Sequence, residues 1–347
     1  LHITEHNDKK ENILKATLIT DIAGPALSAE EKIWLTNPLL GGIILFTRHF
    51  ESKKQLQNLV ADIKSINPNL LLTVDHEGGR VQRFRNGFSR VCAMGELGEL
   101  YKKDRALALN AAEAAAVVLA YELLEVGIDL TYAPVLDINY LRNTVIGDRG
   151  FAENKSDLIA LATSFISGLK KMEFAVVAKH FPGHGWVDLD SHIACPVDDR
   201  EFSVIKNEDM EPFVQLLDQI DWMMPAHVVY EKVDSEPAGF SKKWLKDILK
   251  EDLSFKGHIV SDDLSMLGAA VKGGYRERSL AALEAGCDIL LACNSSEASS
   301  EILYCMEQLN VEPMSIKSYQ PKYTNLTENA SLYQSSKIIL MDLGLIK

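Results

Sequence analysis

The chain has 347 residues, 47% hydrophobic and 24% charged, ordinary values for a globular protein that exclude disorder, collagen and coiled coil as the main state. Its 36 Lys and Arg against 49 Asp and Glu leave a formal charge of −13, and no basic run exceeds a pair, which argues against nucleic acid, a partner that needs clustered cations. There is no run of 18 apolar residues and the opening Leu1 to Asn12 is polar, so neither a membrane span nor a secretory signal is expected.

Eight short apolar runs follow in order: Ala16–Thr20, Gly42–Phe46, Leu70–Val74, Ile128–Pro134, Ala175–Ala178, Trp222–Pro225, His258–Val260 and Asp288–Ala292. Continuous, often β-branched runs of this length fit parallel strands buried on both faces. Helical patterns lie between them. Arg105–Val126 is Ala-rich, Lys155–Met172 opens after Asn154 as a cap, Ser241–Glu251 opens after Phe240, and Arg276–Ala285 stops at Gly286.

Strand and helix alternating in this way predict an α/β fold. Eight repeats in this length predict a TIM (β/α)8 barrel in a single domain, with a doubly wound sheet as the alternative. The barrel is preferred because Asp21, Asp75, Asp137, Lys179–His180, His227, Asp262 and Asn294 recur at the ends of the runs, where barrel enzymes build their sites. No G-x-G-x-x-G or Walker A pattern offers a phosphate cradle. Residues 1–310 are expected to form the barrel. Residues 311–347 read as an extension: Val311–Ser336 as a polar surface tail, Ile338–Ile346 as a segment docking on the barrel. Five cysteines, Cys92, Cys195, Cys287, Cys293 and Cys305, are scattered without a Cys-x-x-Cys pair. They predict reduced thiols and a cytoplasmic protein.

Four segments carry chemistry. Lys179 to His192, KHFPGHGWVDLDSH, starts where the fifth run ends, and Pro182, Gly183 and Gly185 make it a loop. It reads either as a capping loop, as a metal site of His180, His184 and Asp188 whose helical spacing the Pro and Gly residues spoil, or as acid/base machinery. The last is preferred, since Asp190 lies two residues from His192 and a carboxylate there would tune the imidazole. In VSDDLSM, Asp262 falls just past the seventh run; it reads as a nucleophile, and Asp262 or Asp263 as a helix cap. In VDHEGGRVQRF, Asp75 suits sugar hydroxyls and two arginines follow; the competing reading is a turn whose charges pair with each other. In VIGDRGF, Arg149 sits between glycines, as a ligand or as a surface ion-pair residue.

Taken together, VDHEGGRVQRF (74–84), VIGDRGF (145–151), KHFPGHGWVDLDSH (179–192), MPAHVVY (224–230), VSDDLSM (260–266) and AGCDILLACN (285–294) resemble family-3 glycoside hydrolases, most closely the bacterial NagZ-type β-N-acetylglucosaminidases. The resemblance implies a single TIM barrel and a retaining mechanism with neither metal nor cofactor. It implies Asp262 as nucleophile, His192 as general acid/base and Asp190 as its partner. Asp75, Arg83, Arg149, Lys179 and His180 match sugar-binding positions. The implied substrate is GlcNAc linked to 1,6-anhydro-N-acetylmuramoyl peptides, handled by a cytoplasmic monomer of peptidoglycan recycling. A phosphorylase on the same scaffold is the alternative, because a neutral base would tolerate phosphate as acceptor.

Overall fold

The computed structural model describes residues 14–142, 144–187, 195–322 and 325–347. Each apolar run overlaps a strand: β1 Lys15–Thr20, β2 Leu40–Leu45, β3 Leu71–Val74, β4 Leu130–Thr131, β5 Val177–Phe181, β6 Trp222–Pro225, β7 His258–Ile259 and β8 Ile289–Ala292. Nearly every strand residue is buried, which is why the runs are continuously apolar rather than alternating. The fold is α/β with parallel sheets. One sheet runs β8-β1-β2-β3-β4 and the other β7-β6-β5. Parallel bridges Val135 to Lys179 and Val260 to Ile289 join their edges.

Parallel neighbours cannot be joined by a tight turn, so each connection crosses back over the sheet. The helices Lys53–Ile66, Arg105–Leu124, Lys155–Lys171 and Tyr275–Ala285 serve this role. Their ends follow the sequence signals. The Asn154 side chain accepts from the Asp157 N–H at 3.0 Å, and Gly286 takes the left-handed conformation at φ 118°. The segment expected as an α-helix from Ser241 is instead π-helical over Lys243–Asp252. Its entry is capped by Ser241 Oγ, which accepts from the Trp244 N–H at 3.0 Å.

Two hydrophobic clusters result. The smaller takes Ile19, Ile44, Leu71, Leu130, Val177, Trp222, Met224, Val260, Ile289 and Leu291 from the strands and their ends, while the larger lies between strands and helices. The helix Arg105–Leu124 is long and apolar enough to cross a membrane, with a mean hydropathy of 1.6, but 78% of that window is buried inside the protein. It is a core helix.

The polar tail expected over Val311–Ser336 differs from the structure. A helix, Ala330–Asp342, begins inside it and packs on Arg105–Leu124. The Tyr333 ring stacks on Tyr121 at 4.2 Å between centroids, and its hydroxyl donates to buried Glu122 at 2.8 Å. The chain end then pairs with the loop before Met94, through Val91 and Ile346. A few buried aromatic contacts order a segment whose composition is mostly polar, because composition averages over the two faces of a helix.

Candidate active site

The C-terminal ends of the strands surround a cavity of about 470 Å³ lined by Asp75, Glu77, Arg83, Arg149, Lys179, His180, His184 and Asp262, among others. Asp75 follows β3 directly. Glu77 and Arg83 belong to the hairpin His76–Gly78 and Val81–Gln82 and its exit. Arg149 closes a 3-10 turn, Gly147–Arg149. Lys179 and His180 lie inside β5, and Asp262 stands two residues past Val260.

The charges are paired in a definite order. Lys179 Nζ bridges Asp75 Oδ1 at 3.0 Å and Glu77 Oε1 at 2.6 Å. Arg149 grips Glu77 with two bonds of 2.8 Å, and Arg83 approaches Asp75 at 3.5 Å. Burial alone would raise both carboxyl pKa values. Arg149 and Lys179 outweigh it at Glu77, and Lys179 and Arg83 do so at Asp75, so both are held below the ordinary carboxylate range. Lys179 is itself raised: burial pulls it down, but Asp75 and Glu77 prevail. The side chain of Glu77 is only 4% exposed and that of Asp75 is 23% exposed. Glu77 is therefore the support, and Asp75 the acceptor left facing the cavity for a hydroxyl.

His180 Nδ1 lies 2.6 Å from Asp137 Oδ2. Burial would raise Asp137, but His180 holds it low, so the carboxylate accepts from Nδ1 and fixes the orientation of the ring. The same carboxylate accepts the backbone N–H groups of His180 at 3.2 Å and His184 at 2.7 Å. Glycine is required in the turn that follows. Gly183 has φ 137°, and a Cβ there would stand 2.5 Å from Asp209 Cβ; one on Gly185 would fall 1.8 Å from the Ile138 carbonyl. Burial and the neighbouring His180 push His184 down to about 4. Asp188, the third residue of the metal reading, lies outside the described residues, as do Asp190 and His192. Among the described residues no group of three His, Cys, Asp or Glu is placed to hold a metal ion.

The two neighbouring aspartates separate in role. Asp263 accepts from the Ser265 N–H at 2.9 Å, Ser265 Oγ at 2.8 Å and the Cys293 N–H at 3.0 Å. It organises the turn, and burial pushes it up to about 6. Asp262 Oδ1 accepts the Asp263 N–H at 2.8 Å, and the Asp262 side chain lines the cavity. The structure thus brings Asp75, Arg83, Arg149, Lys179, His180 and Asp262 to one cavity. Sequence reasoning gave no role to Glu77, although Asp75 and Glu77 are two apart in an extended segment, a spacing that points both side chains the same way. Asp137 was visible as a polar run end, but its partner was not.

Residues 8–323 match the glycosyl hydrolase family 3 N-terminal domain. The β-hexosaminidase of Shewanella frigidimarina is 45% identical over 332 residues, 94% of this chain and 97% of that one. The β-hexosaminidase of Methylobacillus flagellatus is 48% identical over 288 residues, 82% of each chain. Among solved structures, NagZ from Neisseria gonorrhoeae superposes with a TM-score of 0.86 at 40% identity, covering 95% of this chain and 98% of that one. The same NagZ has been solved with N-trifluoroacetyl-D-glucosamine and with a zinc ion. The chain belongs to glycosyl hydrolase family 3. It is a glycoside hydrolase of the β-hexosaminidase class, similar to NagZ, and the phosphorylase alternative finds no support among these relatives.

Proposed function

We propose that the chain is a retaining exo-β-N-acetylglucosaminidase that removes terminal GlcNAc from 1,6-anhydro-N-acetylmuramoyl saccharides and peptides in peptidoglycan recycling. The observation that carries this reading is the Asp262 carboxylate lining the same cavity as the Asp75–Lys179–Glu77–Arg149 ion cluster, beside an Asp263 whose oxygens accept from Ser265 and Cys293. Asp75, Arg83, Arg149, Lys179 and His180 hold the hydroxyls of the terminal sugar, and the cavity suits one ring at the end of a chain. The N-trifluoroacetyl-D-glucosamine complex of the Neisseria gonorrhoeae relative supports an N-acylated amino sugar as that ring.

In the first step Asp262 attacks C1 while His192, oriented by Asp190, protonates the departing oxygen. In the second, His192 takes a proton from water, which attacks C1 and frees Asp262. A histidine acid becomes neutral on giving up its proton, so it adds no negative charge beside the anionic nucleophile. Neither step calls for a metal or cofactor. A closed (β/α)8 barrel over residues 1–310, with 311–347 docked on it, is supported by the eight parallel strands, the two bridges joining the sheets and the inner cluster. A cytoplasmic place is supported by five cysteines that are all free.

The test is trapping with a 5-fluoro GlcNAc donor. Fluorine destabilises the oxocarbenium-like transition states of both steps, so a covalent adduct should build up on the peptide containing Asp262. A label on Asp263, or turnover with inversion and no adduct, would refute the mechanism.

A further inference from the structure

The stretch of chain that carries Asp190 and His192 enters through residues 183–187 and leaves through residues 195–200. Both stems belong to the described residues, and one network of charges and rings joins them. Its centre is Arg200, on the outgoing stem. The guanidinium grips Asp198 of the same stem, with Nε 3.0 Å from Oδ1 and Nη2 2.6 Å from Oδ2. Its remaining amino group, Nη1, donates to Asp209 Oδ2 at 2.8 Å. Asp209 stands just before the helix Glu211–Gln215 and also accepts from the Tyr140 hydroxyl at 3.2 Å. The side chains of Asp198 and Asp209 are fully buried, and that of Arg200 is 10% exposed.

The same guanidinium reaches across to the incoming stem. It lies over the Trp186 ring at 4.5 Å and the Tyr140 ring at 5.6 Å. Trp186 also carries Arg142 at 4.0 Å and meets Tyr140 edge-on, with centroids 5.3 Å apart. Two further contacts tie the stems together. The Tyr230 hydroxyl donates to the Gly183 carbonyl at 2.8 Å on the incoming side, and the Tyr230 backbone pairs with Asp198 on the outgoing side. The missing side chain at Gly185 lets the incoming stem close on Tyr140, whose ring would stand 3.3 Å from a Cβ there.

Burying three charges adds little net stability, because desolvation offsets the attraction. What a forked guanidinium between two carboxylates fixes is direction, and a planar cation on an aromatic face adds a second constraint. Here the direction fixed is that of two chain segments, one on each side of residues 188–194. None of Arg200, Trp186, Tyr140, Asp198 and Asp209 lines the reaction cavity, so this network acts on the reaction only through the chain it holds.

We infer that Arg200 and Trp186 are positioning residues for acid/base catalysis: together they clasp the two stems of the stretch that carries Asp190 and His192. The inference rests on the reading of His192 as the acid/base.

The experiment measures kcat/KM on aryl β-N-acetylglucosaminides of rising leaving-group pKa: 2,4-dinitrophenyl, 4-nitrophenyl and phenyl. Arg200→Ala would leave Asp198 and Asp209 buried without their cation, so the variants are Trp186→Ala and Arg200→Lys, which keeps the charge but not the fork. An acid held out of place matters only where the leaving group needs a proton. The loss should therefore be under about 3-fold on the dinitrophenyl glycoside and grow to about 10- to 100-fold on the phenyl glycoside, the scale of a small misplacement. Trp186→Phe, which keeps an aromatic face for Arg200, should recover most of it. A merely structural role lowers all three substrates by one factor, and that result, or no loss, would overturn the inference. His192→Ala run beside them tests the underlying reading. A steep series for His192→Ala with a flat one for Trp186→Ala and Arg200→Lys refutes the clasp alone, whereas a flat series for His192→Ala refutes the acid/base reading and the clasp with it.

Discussion

Replacing Glu77 by Gln tests whether the ion cluster is held as the geometry implies. The wild-type carboxylate takes two bonds of 2.8 Å from Arg149 and one contact of 2.6 Å from Lys179, with both Glu77 and Lys179 side chains 4% exposed. Gln keeps the shape but not the charge, and its amide N–H groups face donors. Removing one partner of a buried pair costs about 3–5 kcal/mol, a large part of a total stability of roughly 5–15 kcal/mol. Urea unfolding followed by tryptophan fluorescence should show that loss at pH 7. The pH dependence fixes the cause. A carboxylate whose folded pKa is depressed contributes stability above its unfolded value, about 4.3, and loses it as pH falls toward the folded value. The gap between wild type and Glu77→Gln should therefore narrow steadily as pH is lowered below about 4.3. A gap under about 1 kcal/mol at pH 7, or one that widens in acid, would show that Glu77 does not hold the cluster.

Asp75→Ala removes a charge-assisted acceptor of roughly 1.5–3 kcal/mol, so kcat/KM should fall about 10- to 150-fold in steady-state assays; an unchanged value in a folded variant would make Asp75 purely structural. His192→Ala should lose about 10²–10⁴-fold on muropeptides. On a nitrophenyl glycoside, whose good leaving group needs little acid, stopped-flow absorbance should show a burst followed by slow turnover and a low KM; equal slowing of both substrates without a burst would reassign the acid/base. Activity should survive dialysis against EDTA, and loss reversed by zinc would favour a metal site instead. Tyr333→Ala should lower Tm by removing the stacked contact with Tyr121 and the 2.8 Å bond to Glu122, with little change in KM; an unchanged Tm would mean that the final helix is held by other contacts.

The strands and the loop at Lys179 could be read from local pattern. A strand buried on both faces must be apolar throughout, and Pro182, Gly183 and Gly185 announce a turn whatever surrounds them. Asp75, Lys179 and Asp262 stood out because charged residues at the ends of apolar runs are unusual, and Arg149 because it sits between glycines in VIGDRGF. What pattern could not supply was partnership. Asp75 and Lys179 are 104 positions apart and meet at 3.0 Å, and the bond joining Asn294 to Asp21 spans 273 positions. Only the lateral order of the strands, set by how their outer faces pack under the helices, puts such pairs side by side. The same ordering turned Glu77 from a loop acid into the support of two cations, made Asp137 the anchor of His180, and set Asp263 apart from Asp262 by giving it donors from Ser265 and Cys293. Residue type and spacing are local properties, whereas a charge's partner, and hence its pKa and its role, is a property of distance in three dimensions.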